Sequence, residues 1–61
     1  MFNKTTKLMS EEEAIDKKRQ IWNLLSSGDG FCQMNEEGNG KYFLTMRIRK
    51  ELKSEVLEIL R

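Results

Sequence analysis

The sequence predicts a small α+β domain with the element order helix, strand, strand, helix. Three observations lead to this prediction. An apolar stripe of helical period follows Ser10, a strict two-residue alternation covers residues 41–49, and the helical period returns after Arg49. We therefore expect an αββα domain over residues 10–61, in which two helices pack on a two-stranded antiparallel hairpin.

Residues 1–9 show no sustained period, and we expect them to form a flexible N-terminal arm. Order should begin at Ser10, because Ser10 and Glu13 have the spacing of a capping box. The helix is predicted to end near Ser26, before Gly28.

Lys18 interrupts the apolar stripe of this predicted helix. Either its stem packs while its ammonium reaches water, or it makes a polar contact inside an interface.

The second predicted strand has two distinct faces. Tyr42, Leu44, Met46 and Ile48 share one face, and Lys41, Phe43, Thr45, Arg47 and Arg49 share the other. The first strand is predicted at residues 31–34. An Asn39-Gly40 turn of two residues would pair Cys32 with Arg47, whereas an odd-numbered loop pairs Cys32 with Met46 and keeps the apolar faces together. We therefore predict a loop of three or five residues.

A lone hairpin is marginal in water, and one edge of the long second strand would stay unpaired. We expect a homodimer in which this edge pairs across a two-fold axis to give a four-stranded sheet. A monomer and a larger assembly are the alternatives.

The composition limits the chemistry that this chain can perform. Cys32 is the only cysteine and there is no histidine, so neither an intrachain disulfide nor the usual zinc spacing can form. The most common general base is also missing, and Cys32 lacks a partner that would activate it as a nucleophile. We expect no enzymatic activity and no cofactor.

No stretch has the length and apolarity of a membrane span or a secretory signal, so we expect a cytoplasmic protein without a membrane partner.

The positive charge is concentrated in the second half of the chain. The candidate partner-binding residues are Lys41, Phe43, Thr45, Arg47, Arg49, Lys50 and Lys53. Phe43 is notable because an aromatic side chain among basic ones is common at binding surfaces.

Residues 42–52 locally resemble the strand and first helix of ribbon-helix-helix repressors, in which paired strands from two subunits enter the major groove. This resemblance implies that Thr45, Arg47 and Phe43 or Arg49 would point toward DNA, with Lys50 and Lys53 near phosphates. With the helix that follows, the likeness covers about twenty residues, and the family's second helix has no counterpart before Arg61.

We expect a non-enzymatic regulator or inhibitor that binds and blocks another protein. A short chain without chemistry of its own is also what a virus or mobile element, such as a phage, encodes to block a host machine. The alternative is a homodimeric DNA-binding transcriptional regulator that uses the basic second strand.

Overall fold

The sheet has three strands, and its central strand is the last one in sequence. The structure is a computed structural model that describes residues 1–61. Its elements are β1 (Phe2–Thr5), α1 (Glu11–Leu24), β2 (Gly30–Gly38), β3 (Lys41–Ile48) and α2 (Lys53–Leu60), with a short 3₁₀ turn at Lys50–Leu52. The strand order is β1-β3-β2, and both neighbours of β3 are antiparallel to it. The α+β class is thus as predicted, but the sheet contains one strand more than the predicted hairpin.

The additional strand comes from residues for which we expected a flexible arm. Phe2 pairs with Ile48, and the pairing continues to Thr5 opposite Thr45. Beyond β1, the Thr6 N–H donates to the Leu44 carbonyl at 2.9 Å. The Thr6 hydroxyl accepts from the Leu44 N–H at 2.9 Å. A strand of four residues is too short to show a clear period, which is why the sequence pattern did not indicate it.

Met9 extends this attachment to the start of α1. Its N–H and carbonyl exchange hydrogen bonds of 2.8 Å with Tyr42, and its side chain is buried in the core. Ser10 then caps α1 as predicted, because its hydroxyl accepts from the Glu13 N–H at 3.2 Å. The edge of β3 that we expected to be free for a second subunit is therefore occupied by the chain's own N-terminal residues.

The hairpin register is the predicted one, but the loop that produces it differs. Cys32 lies opposite Met46 and Met34 opposite Leu44. The connection is a two-residue Asn39-Gly40 turn with positive φ at both positions, as a type I′ turn requires. A β-bulge between Glu36 and Gly38 adds one residue to β2 and corrects the parity.

Both helices lie on the same face of the sheet. Leu44, Met46 and Ile48 of β3 are buried there against α1 and α2. The buried core consists of Met9, Ala14, Ile21, Cys32, Leu44, Met46, Ile48 and Val56. The Lys17 ammonium also donates to the Ile59 carbonyl at 2.9 Å, which ties α1 to the end of α2. Neither helix has the length and apolar character needed to cross a membrane.

Gly30 is expected to tolerate no side chain. Its φ is +132°, and a Cβ would lie 2.1 Å from the Arg47 carbonyl oxygen of the neighbouring strand. We expect Gly30→Ala to lower the free energy of unfolding by about 3 kcal/mol or more, because both strain and backbone overlap must be relieved. Urea unfolding measures this change.

Gly28→Ala is the matched control for this substitution. Gly28 also has a positive φ, +87°, but nothing lies within 4 Å of its Cβ position. It should therefore lose only about 1–2 kcal/mol from the backbone conformation. Equal losses at both glycines would contradict the close contact between Gly30 and β3.

The Thr6 hydroxyl is expected to contribute to stability. In Thr6→Val, the Leu44 N–H loses its 2.9 Å acceptor in a partly buried position. We expect a loss of about 1–3 kcal/mol in unfolding free energy, as for other polar groups left unpaired. Thr5→Val, at an exposed position of β1, should change stability by less than about 0.5 kcal/mol. If the two variants unfold alike, residues 2–9 do not pair as described.

Candidate interaction surface

Neither a metal-binding group nor the one cavity of this protein is a strong candidate for a functional site. No group of three or more His, Cys, Asp or Glu side chains is arranged to hold a metal ion. One cavity of about 220 Å³ opens between β1, the start of α1 and the end of α2. Three lysines line it, Lys4, Lys7 and Lys17, but the Lys17 ammonium is already bonded to the Ile59 carbonyl. The remaining candidates are surfaces.

The sheet face opposite the helices is the most distinctive surface. No helix covers it, so its side chains meet solvent. We call it the open face, and it consists of Asn3, Thr5, Phe31, Gln33, Asn35, Phe43, Thr45 and Arg47. These positions follow from the register, since they alternate with the residues that enter the core.

The side chains of the open face lie in three rows across the strands. Asn3, Arg47 and Phe31 form the first row, and Thr5, Thr45 and Gln33 form the second. In the third row Asn35 lies opposite Phe43.

Two features give the open face its character. The Asn35 amide donates to the Thr45 hydroxyl at 3.1 Å, which orients both side chains. Phe31 stays 44% exposed although it is a large apolar residue.

The structure brings together only part of the predicted site. Phe43, Thr45 and Arg47 lie side by side on the open face, and Lys41 has the same parity but sits next to the hairpin turn. Arg49 lies 3.5 Å from Asp29 and 3.7 Å from Glu51, so nearby carboxylates neutralise it.

The two remaining lysines belong to other parts of the molecule. Lys50 lies in the 3₁₀ turn. The Lys53 ammonium lies 5.5 Å from the centroid of the Phe2 ring, on the side of the sheet that carries the helices. The predicted basic cluster is thus spread over several surfaces.

The sequence interpretation missed five residues of the open face. Phe31, Gln33 and Asn35 are on β2, and the predicted register, which placed Cys32 and Met34 inward, already implied the orientation of Phe31 and Gln33. Asn35 lies beyond the predicted strand of residues 31–34. Asn3 and Thr5 belong to β1, for which the sequence offered no periodic signal.

A second surface follows the free edge of β2. The backbone groups of Leu44 are bonded to Thr6, and the Arg49 N–H donates to Asp29 on the β2 side, so even residues of β3 face β1 and odd residues face β2. In an antiparallel pair this alternation leaves the N–H and carbonyl groups of Cys32, Met34 and Glu36 pointing away from β3. One of these groups is satisfied, since the Trp22 indole donates to the Cys32 carbonyl at 2.8 Å.

Two titratable groups of the sheet have shifted pKa values, Cys32 of β2 and Tyr42 of β3. Burial raises the pKa of the Cys32 thiol from 9.0 to about 11, although the nearby Lys18 ammonium works in the opposite direction. The pKa of Tyr42 is also raised, first by desolvation and then by the carboxylates of Glu11 and Glu36. Cys32 is therefore a protonated thiol at neutral pH, and it is buried.

Comparison with protein-family models, curated proteins and solved structures found no match for this chain. The sheet also differs from that of the ribbon-helix-helix repressors, which residues 42–52 locally resemble. In those proteins the strands of two subunits pair with each other, but here β3 has β1 on one side and β2 on the other. Two copies therefore cannot pair through β3 without displacing one of these strands.

The shifted pKa of Cys32 predicts a loss of stability in alkaline solution. The thiol ionises near pH 9 in the unfolded chain but only near pH 11 in the folded one. Its contribution is therefore complete below pH 9 and disappears as the pH rises through 11, by about 2–3 kcal/mol in total. Urea unfolding between pH 8 and 11 measures it. Cys32→Ala should lack this component while keeping the one from Tyr42, and parallel pH profiles would contradict the assignment.

Proposed function

We propose that this protein is a non-enzymatic regulator or inhibitor that binds and blocks another protein through its open face. The observation that carries this proposal is the composition of that face. Arg47 is the only charged side chain among its eight residues, in a chain of which 34% of residues are charged. Centres of protein interfaces are similarly poor in charge and enriched in aromatic residues and arginine.

Phe31, Phe43 and Arg47 are the residues best suited to anchor a partner. Aromatic and arginine side chains dominate the binding energy of protein interfaces when they are desolvated in the centre. Arg47 lies on the central strand and faces Phe31 across the β2–β3 pair. Because regular strands hold these side chains, binding would order little backbone and would avoid much of the entropic cost of association.

A nucleic-acid partner has weaker support on this surface. Affinity for nucleic acid depends on contacts between basic side chains and several phosphates. Within β3, Lys41 and Arg47 are the only basic residues with open-face parity, and six positions of strand, about 20 Å, separate them. Arg49 follows the strand with the same parity, but it lies 3.5 Å from Asp29 and 3.7 Å from Glu51. Glu36 and Glu37 also lie in β2 near Lys41, where their charge opposes that of the lysine. The alternative function, a homodimeric DNA-binding regulator, would have to use Arg49, Lys50 and Lys53 from other surfaces.

A photo-crosslinking residue tests the proposed face directly. We would replace Gln33 with a benzophenone derivative of phenylalanine and, as a control, place the same group at exposed Glu55 on α2. The expected result is a defined protein adduct from position 33 that is absent from position 55. The captured protein is then produced separately for affinity measurements.

Two matched charge reversals distinguish the protein partner from DNA. Arg47→Glu should weaken binding of the captured protein at least about tenfold, as for a central anchor. Lys50→Glu makes the same charge change in the 3₁₀ turn and should alter affinity less than about twofold. In parallel, anisotropy with a random duplex at several salt concentrations tests the alternative. Salt-sensitive duplex binding that both reversals weaken, or equal adducts from both crosslinking positions, would overturn the proposal.

A further inference from the structure

We propose that the free edge of β2 pairs with β2 of a second copy, antiparallel about a two-fold axis at Met34, to form a six-stranded sheet. The inference is independent of the function proposed for the open face. It also moves the dimer contact that the sequence suggested, because β1 occupies the expected edge of β3.

The backbone provides the first argument. β2 is the longest strand, with nine residues, and its outer edge presents the N–H and carbonyl groups of Cys32, Met34 and Glu36. A two-fold axis at Met34 makes Met34 face Met34 of the copy, and it places Cys32 opposite the copy's Glu36. The outward groups of both strands then form hydrogen-bonded pairs. The Cys32 carbonyl has a second lone pair, so it can accept from the copy as well as from Trp22.

The other edge of the sheet fits a second copy less well. β1 has only four residues, and just Asn3 and Thr5 point their backbone groups outward there. No large apolar side chain belongs to those two residues. Pairing through β1 would therefore form fewer hydrogen bonds and bury less apolar surface than pairing through β2.

Trp22 of α1 lies at the β2 edge, and a second exposed apolar residue, Ile15, is on the same side of the helix. Ile15 and Trp22 are two turns apart on the same side of α1, and they are 47% and 44% exposed. Trp22 is fixed against the edge by its bond to the Cys32 carbonyl, and Lys18 lies between the two on the same helix face. In a two-fold assembly this strip meets its own equivalent, which is the self-complementary contact that such symmetry requires.

Charge complementarity identifies the second copy as the occupant. Lys18 is half-buried near Cys32 and makes no ion pair within the chain, and Glu36 is likewise unpaired. The Glu36 side chain points to the helix-covered face, because Glu36 lies opposite Tyr42. The proposed register brings the copy's Glu36 next to Cys32 and thus next to Lys18. The symmetry creates this pair twice.

The dimer would also enlarge the open face. Three strands about 4.8 Å apart and about six residues long offer about 300 Å², well below the roughly 800 Å² per partner of a standard interface. Two copies joined through β2 would present their open faces side by side on one continuous sheet.

Sedimentation equilibrium of wild-type protein and charge-reversal variants tests the proposal. Wild type should dimerise at concentrations of about 10–100 μM. Lys18→Glu and Glu36→Lys should each weaken dimerisation about tenfold or more, because each places like charges together at two symmetric positions. The mixture of these two variants should restore association as a heterodimer, since each mixed contact again joins an acid to a lysine. Glu55→Lys on α2 is the control and should dimerise like wild type.

Trp22 gives an independent signal, because it is the only tryptophan and lies at the proposed contact. Its emission should shift to shorter wavelength as wild type or the mixture is concentrated, and should not shift for either single variant. A wild-type monomer at 100 μM would overturn the proposal. Variants that dimerise like wild type, or a mixture that stays monomeric while both folded components show native circular dichroism, would also overturn it.

Discussion

The structure depends on the placement of β3 between two other strands. Leu44, Met46 and Ile48 project from it into the core, and both helices pack over them. Its two edges hold β1 and β2, so every other element of the sheet is attached through β3. With only eight buried residues, the domain has little apolar burial to spare, and a core of this size seldom supplies more than about 3–5 kcal/mol. The hydrogen bonds that attach residues 2–9 to β3 therefore matter more here than in a larger protein.

The same arrangement leaves one face of the sheet outside the core. One face of each strand is committed to the core and the other faces solvent, which is a common division in antiparallel sheets. Phe31 and Phe43 lie on the uncovered face, where solvent-facing polar residues would suffice for folding alone. The edge of β2 is a third region of the surface. The Trp22 indole donates a hydrogen bond to one of its carbonyls, and the nearby Lys18 forms no ion pair.

Much of this architecture could be predicted from residue patterns. The capped helix, the alternation along β3 and the pairing of Cys32 with Met46 all depend on local periodicity and on keeping apolar faces together. The bulge at residues 36–38 could not be distinguished from a longer loop, because both correct the parity in the same way. β1 was missed because its four residues do not alternate clearly between apolar and polar. Asn3 and Thr5 point outward, but the inward positions hold one apolar residue, Phe2, and one charged residue, Lys4. Because β1 was missed, the dimer contact was predicted at an edge of β3 that β1 occupies, and Asn3 and Thr5 were not assigned to the open face. Phe43, Thr45 and Arg47, in contrast, followed directly from the pattern of β3.

The attachment of β1 to β3 affects the order in which the chain can fold during synthesis. Phe2 pairs with Ile48, 46 positions later, so β1 leaves the ribosome long before its partner exists. Closing such a loop costs entropy before any of its contacts are gained, which makes this pairing a late and slow step. The helix α1 and the β2–β3 hairpin are local and can form first, with the edge of β3 exposed in the meantime. In that interval, β3 of an emerging chain is open to any extended segment nearby, and the chain's own residues 2–5 must compete for it.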